Sequence, residues 1–142
     1  MVRVSVDIDA PSEEVWRHAS DLASHVQWMA DALAVDFLGD QRQGVGTRLA
    51  VTTRFGPFRT TDLLEVISWE PFHRIAVAHR GMVGGEGQLE LEPLREGRTR
   101  FSWEERLRIP WFLGGPMGAW VVRPFLRRIM QGNLERFRRR IS

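Results

Sequence analysis

The sequence predicts an α+β domain in which a curved, seven-stranded antiparallel sheet wraps around a long C-terminal helix, with two short helices after the first strand. Three observations carry this. Residues 2–9 and most of 34–108 alternate apolar and polar side chains, the period-two pattern of half-buried strands. Turn residues interrupt that pattern often, and no intervening segment is long enough for a parallel crossover, so the strands form an antiparallel meander. Beyond Pro110 the periodicity becomes helical and the composition turns rich in Trp and Arg.

Val2, Val4, Val6 and Ile8 alternate with Arg3, Ser5, Asp7 and Asp9 in the first strand. Ala10-Pro11-Ser12-Glu13-Glu14 starts a helix that Ser12 can cap, with acidic residues in its first turn and Val15, Trp16 and Ala19 on its apolar side. Asp21 can cap a second short helix ending before Trp28-Met29. Six strands are then expected at 34–39, 45–55, 58–68, 73–81, 85–94 and 98–108. Gly44, Gly56-Pro57, Glu70-Pro71, Gly84-Gly85 and Glu96-Gly97 mark the turns between them. Gly84, Gly85 and Gly87 fit bulges or bends that curl a sheet. Trp111 to Pro116 reads as a loop or loose first turn. The last helix runs to about Arg140 with Val122, Leu126, Ile129, Met130, Leu134, Phe137 and Ile141 on one side. Pro124 lies inside it, where a kink is expected. The whole chain, 1–142, reads as one domain.

At 142 residues the chain can bury about 68–70% of its unfolded surface. Cysteine is absent, which excludes disulfides, thiolate metal sites and thiol nucleophiles, and tyrosine is absent as a proton donor. All 20 basic residues are arginine, which lifts the pI to about 10.7 although the net charge is only +2. The charge is uneven: −5 over residues 1–70 and +7 over 71–142, mostly between Arg123 and Arg140. The N-terminus has no apolar core of a signal peptide, and no run approaches the roughly 18 apolar residues of a membrane span. A cytosolic protein is expected.

This order of elements is similar to the START-like helix-grip superfamily, often labelled SRPBCC. The resemblance rests on Ala10-Pro11-Ser12-Glu13-Glu14-Val15-Trp16, Asp21 with Trp28, Gly44-Val45-Gly46-Thr47, Trp69-Glu70-Pro71, and Gly97-Arg98-Thr99-Arg100-Phe101-Ser102-Trp103. Within it the chain looks most like the polyketide cyclase/dehydrase and lipid-transport branch. The resemblance implies a helix-grip fold and an internal cavity for a lipid, polyketide or isoprenoid-like ligand. It leaves carriers and enzymes equally open, because its motifs mark turns and packing positions.

Alternation assigns the strand faces. Thr47, Leu49, Val51, Thr60, Leu64, Ile75, Val77, Leu89, Leu91, Phe101, Trp103 and Glu105 point inward and are the expected ligand-binding set, joined by Trp120 from the helix. Asp62 and His79 share this face and are the candidate catalytic pair. A tight turn through Trp69–Phe72 would set Asp62 opposite His79, and similar arithmetic sets Gly87 opposite both His79 and Glu105. The pair either orients or deprotonates a ligand, as a cyclase or dehydratase would, or satisfies itself near the cavity mouth. No residue pattern calls for a metal or cofactor. Trp28, Trp103, Trp120 and Phe101 either stack on a flat ligand or belong to the core. Trp111-Phe112-Leu113 either closes the cavity, touches a membrane or packs under the helix. The arginines at 136 and 138–140 either answer the helix dipole or attract anionic lipid; a nucleic-acid partner is not expected, and the oligomeric state is open. Three functions therefore stand: a carrier of a hydrophobic small molecule, an enzyme using His79 and Asp62, and a docking protein for a membrane or assembly.

Overall fold

The computed structural model describes residues 1–55, 57–81 and 83–141. Strand β1 (Val2–Ile8) buries Val2, Val4, Val6 and Ile8 on one face, as its alternation predicts. Helix α1 (Ser12–Ala19) and a 3-10 turn at Leu22–Gln27 follow. Then come β2 (Ala32–Phe37), β3 (Arg48–Phe55), β4 (Phe58–Glu70), β5 (Arg74–Arg80), β6 (Gly84–Pro93) and β7 (Thr99–Arg108). A 3-10 turn at Trp111–Leu113 leads into α2 (Gly115–Ile141), which runs unbroken through Pro124. The strands form one curled antiparallel sheet in the order β1-β7-β6-β5-β4-β3-β2, the helix-grip arrangement.

Two expected caps are corrected. Pro11 occupies the cap position of α1, and the Ser12 hydroxyl instead meets the Thr99 hydroxyl at 3.3 Å. Asp21 precedes the 3-10 turn, but its side chain makes no capping bond. The β3–β4 turn at Gly56-Pro57 falls partly on Gly56, which lies outside the described residues. On the outer face of β7, Ser102 and Glu104 are buried. Ser5 covers the first at 2.9 Å, and Arg3, Gln88 and Arg106 surround the second.

The core lies between the sheet and the C-terminal half of α2, where Met130, Leu134 and Phe137 are buried. Phe137 stacks on Phe101 at 4.5 Å and meets Trp28 edge-on at 5.0 Å. A buried asparagine pins this half of the helix. Asn133 accepts the Ala30 N–H at 3.1 Å and donates to Asp31 at 3.2 Å, while Arg136 donates to the Trp28 carbonyl at 3.1 Å. Buried polar groups satisfied on all sides fix one arrangement of packed elements. The N-terminal half of α2 behaves otherwise: Met117, Trp120, Val121, Val122 and Phe125 are all exposed.

Candidate ligand-binding site

The register of β4 and β5 differs from the sequence expectation. His79 stands opposite Leu64, not Asp62. The hairpin loop holds three residues, Pro71, Phe72 and His73, and a bulge at Ile67 shifts the pairing between Val66 and Ser68. The wider loop alone would put Asp62 and His79 on opposite faces; the bulge restores their common face. Phe72 turns the chain with a φ of 71°, a conformation that no glycine announces in the sequence. Likewise His79 pairs with Gly85, while Gly87 lies between Val77 and Glu105. The expected straight row is thus a staircase.

The three ionisable side chains nevertheless meet. His79 Nδ1 lies 2.7 Å from Asp62 Oδ2, and its Nε2 lies 2.9 Å from Glu105 Oε2. Asp62 is reached diagonally across one strand pair. Glu105 is two strands away, about 10 Å at ordinary strand spacing. The gap closes because β6 has glycine at both intervening inner positions. A Cβ at Gly87 would sit 2.6 Å from the Glu105 carboxylate, so Glu105 leans over bare backbone to reach the imidazole. Gly85 has a φ of 118°, and a Cβ there would strike the Arg106 carbonyl. Trp103 Nε1–H donates to the second Glu105 oxygen at 3.1 Å and so fixes the carboxylate from a third side.

Burial by itself would lower the His79 pKa. The hydrogen bonds to Asp62 and then Glu105, with the charges of both, outweigh it and raise the value to about 10. His79 is therefore an imidazolium at neutral pH, donating both ring protons. In that state it has no lone pair for abstracting a proton, and among the described residues no cluster suited to a metal ion is present. His25 is different. Burial lowers its pKa against the opposing effect of the Ala19 carbonyl, which lies 2.8 Å from Nε2.

A partly open cavity of about 360 Å3 adjoins Glu105. Its walls come from β1, the end of β7 and the N-terminal half of α2, including Val2, Leu107, Ile109, Ala119, Val122 and Leu126, with Arg108 and Arg123 at its edge. Of the residues expected to face a ligand, Glu105 and Trp120 line this cavity. Thr47, Leu49, Ile75, Leu89, Leu91 and Phe101 are buried in the core or sheet. Val51, Leu64, Val77 and Trp103 are half-buried, and Thr60 is exposed. Trp28 and Phe101 are core aromatics packed on Phe137, whereas Trp120 is 73% exposed. Trp111, Phe112 and Leu113 are also exposed, which excludes their packing under the helix. The cavity wall formed by Ala119, Val122, Arg123 and Leu126 was missed in the sequence as a wall. Its spacing was visible, but of the four only Leu126 packs against the core.

A curled sheet gripping a C-terminal helix beside a cavity with one buried polar end defines a protein of the helix-grip fold. The sequence profile described as "Polyketide cyclase / dehydrase and lipid transport" matches residues 1–142, and the chain belongs to that family. Its fold is similar to a protein of Thermus thermophilus, 22% identical over 99% of this chain and 95% of that one, with a TM-score of 0.71. It also resembles a START superfamily protein from Mycobacterium smegmatis, at 15% identity over 99% and 95% with a TM-score of 0.75. An aromatase/cyclase of Streptomyces sp. R1128 matches at 18% identity over 95% and 86%, with a TM-score of 0.69. No curated protein sequence matches the chain. Among the described residues no helix is long and apolar enough to cross a membrane.

Proposed function

We propose that this protein binds or carries a hydrophobic small molecule in the cavity beside Glu105, with the Asp62–His79–Glu105 cluster receiving the polar end. The observation that carries this reading is Glu105 at the cavity wall, held from behind by the doubly bridged His79 imidazolium. A general base needs a free lone pair near its working pH, and His79 offers none. What the cluster presents instead is fixed carboxylate oxygen, one positive charge set against two negative ones. Such a group accepts hydrogen bonds from a hydroxyl or amine on an otherwise apolar ligand. The apolar walls supply the rest, about 25 cal/mol per Å2 of ligand surface removed from water. The family's description, with the fold's likeness to a START superfamily protein and an aromatase/cyclase, supports a lipid, polyketide or isoprenoid-like ligand.

The test is native mass spectrometry of freshly purified protein, with denaturing extraction of any bound mass. A discrete apolar adduct, lost from a Val122→Arg/Leu126→Arg variant that keeps its fold, is expected. A ligand-free protein that turns over a polyketide substrate, and loses turnover in His79→Gln, would overturn the carrier reading in favour of a cyclase.

A further inference from the structure

The first turns of α2 carry a surface that the core does not use and that meets the cavity only through Trp120 and Arg123. Met117, Trp120, Val121 and Phe125 are 76%, 73%, 59% and 69% exposed. They recur at i, i+3, i+4 and i+8, so they form one stripe on one face. Trp111, Phe112 and Leu113 extend it at the helix entrance with exposures of 86%, 59% and 52%. This is a contiguous apolar surface with large aromatics on its edge or crest, far beyond the scattered exposed apolar residue that any surface has. Its charge is of one sign. Residues 106–134 contain five arginines and no Asp or Glu. Among the described residues, no ion pair occupies Arg123, Arg127 or Arg128.

We infer that this face, Trp111–Leu113 with the exposed stripe of α2 and Arg123, Arg127 and Arg128, docks the protein on an anionic lipid surface. The vertical spacing fits. Arg127 lies seven residues after Trp120, about 10 Å along the helix. With the tip seated at the boundary of the acyl chains, Arg127 and Arg128 stand at phosphate level, and Arg123, one turn nearer the tip, reaches it by its long side chain. A second copy of the chain is a poorer occupant. Two-fold packing sets a patch against itself, so it would gather six arginines into one interface that this segment supplies with no acid. The C-terminal arginines do not serve this role. Arg138 is paired with Glu135 at 2.6 Å, and Arg138 and Arg139 stand around a depression with Asp7, Asp9 and Glu96. Because the cavity is walled by this same half of α2, docking would place its opening at the lipid; the docking itself is independent of what the cavity holds.

Flotation with vesicles of phosphatidylcholine alone, and of phosphatidylcholine with about 30% phosphatidylglycerol, tests the proposal. The full-length protein is expected to float with the anionic vesicles only. Arg123→Gln/Arg127→Gln/Arg128→Gln should lower partitioning roughly 100-fold, about fivefold per arginine. Trp120→Ser/Phe125→Ser should release the protein as well, while its circular dichroism stays unchanged because both side chains are exposed. Arg139→Gln/Arg140→Gln should float like the parent. The proposal is overturned if the parent does not float, or if only the Arg139/Arg140 variant is released. It is also overturned if binding survives loss of Trp120 and Phe125, or if the parent is a dimer that Trp120→Ser/Phe125→Ser disperses and vesicles do not bind.

Discussion

Replacing His79 by glutamine removes a cation from between two carboxylates, and its effect on stability can be worked out with its sign. In the native protein the imidazole holds its proton up to about pH 10, against an ordinary value of 6.5. Between those values the folded state binds one more proton than the unfolded state, so stability falls as pH rises. The slope is about 1.4 kcal/mol per pH unit at most, or about 2.5 kcal/mol between pH 7 and pH 9. Stability from this group is complete below pH 6.5 and gone above pH 10. The sequence makes the measurement unusually clean, because it contains no Lys, Cys or Tyr to titrate in that window. His25 does not interfere, since a lowered pKa places its titration below pH 6.5, where it contributes with the opposite sign. Urea denaturation from pH 7 to pH 9 should therefore show the parent losing stability steadily. His79→Gln should be nearly flat, and less stable at pH 7 by roughly 3–5 kcal/mol because Glu105 is left buried beside an uncharged partner. The N-terminal amine and the other histidines are common to both proteins and cancel in the comparison. Equal slopes in the two proteins would refute the bridged-imidazolium account.

Three further outcomes follow from the same geometry. Gly87→Ala should displace the Glu105 carboxylate, which a Cβ would approach to 2.6 Å, and so lower the His79 pKa while Asp62 remains bonded; imidazole NMR shifts against pH read this directly. Phe137→Ala removes a ring buried against Trp28 and Phe101 and should cost about 3–5 kcal/mol in urea denaturation. Asn133→Leu keeps the volume roughly constant but strands the Ala30 N–H and Asp31; a loss of about 1–3 kcal/mol is expected, with lowered amide protection at Ala30.

Much of this architecture was legible in the sequence because faces follow from parity alone. Phe101, Trp103 and Glu105 had to share a side, as did Asp62, Leu64 and Val66. Register was not legible, because it depends on loop length and bulges. Nothing in Glu70-Pro71-Phe72-His73-Arg74 announces that Phe72 takes a positive φ and widens the turn, or that Ile67 bulges to compensate. The cluster survived the error because His79 and Glu105 are long enough to lean across a strand stripped to glycine. The cavity's position was hidden for another reason. The last helix is apolar on more than one side near Trp120, so periodicity could not show which side would stand away from the sheet.

Helix α2 runs uninterrupted from Gly115 to Ile141 but is not evenly anchored. From Met130 onward it is held by buried rings and by the Asn133 contacts, while its first three turns rest beside a cavity. Pro124, which supplies no amide proton, sits between the two regimes. Such a helix should open in stages. Amides before Pro124 should exchange at low free energy through local fraying, while those after Met130 exchange only with global unfolding. The protein would then hold a rigid post and a loosely hinged flap in one uninterrupted rod, and could admit a bulky guest without disturbing the structure that keeps it folded.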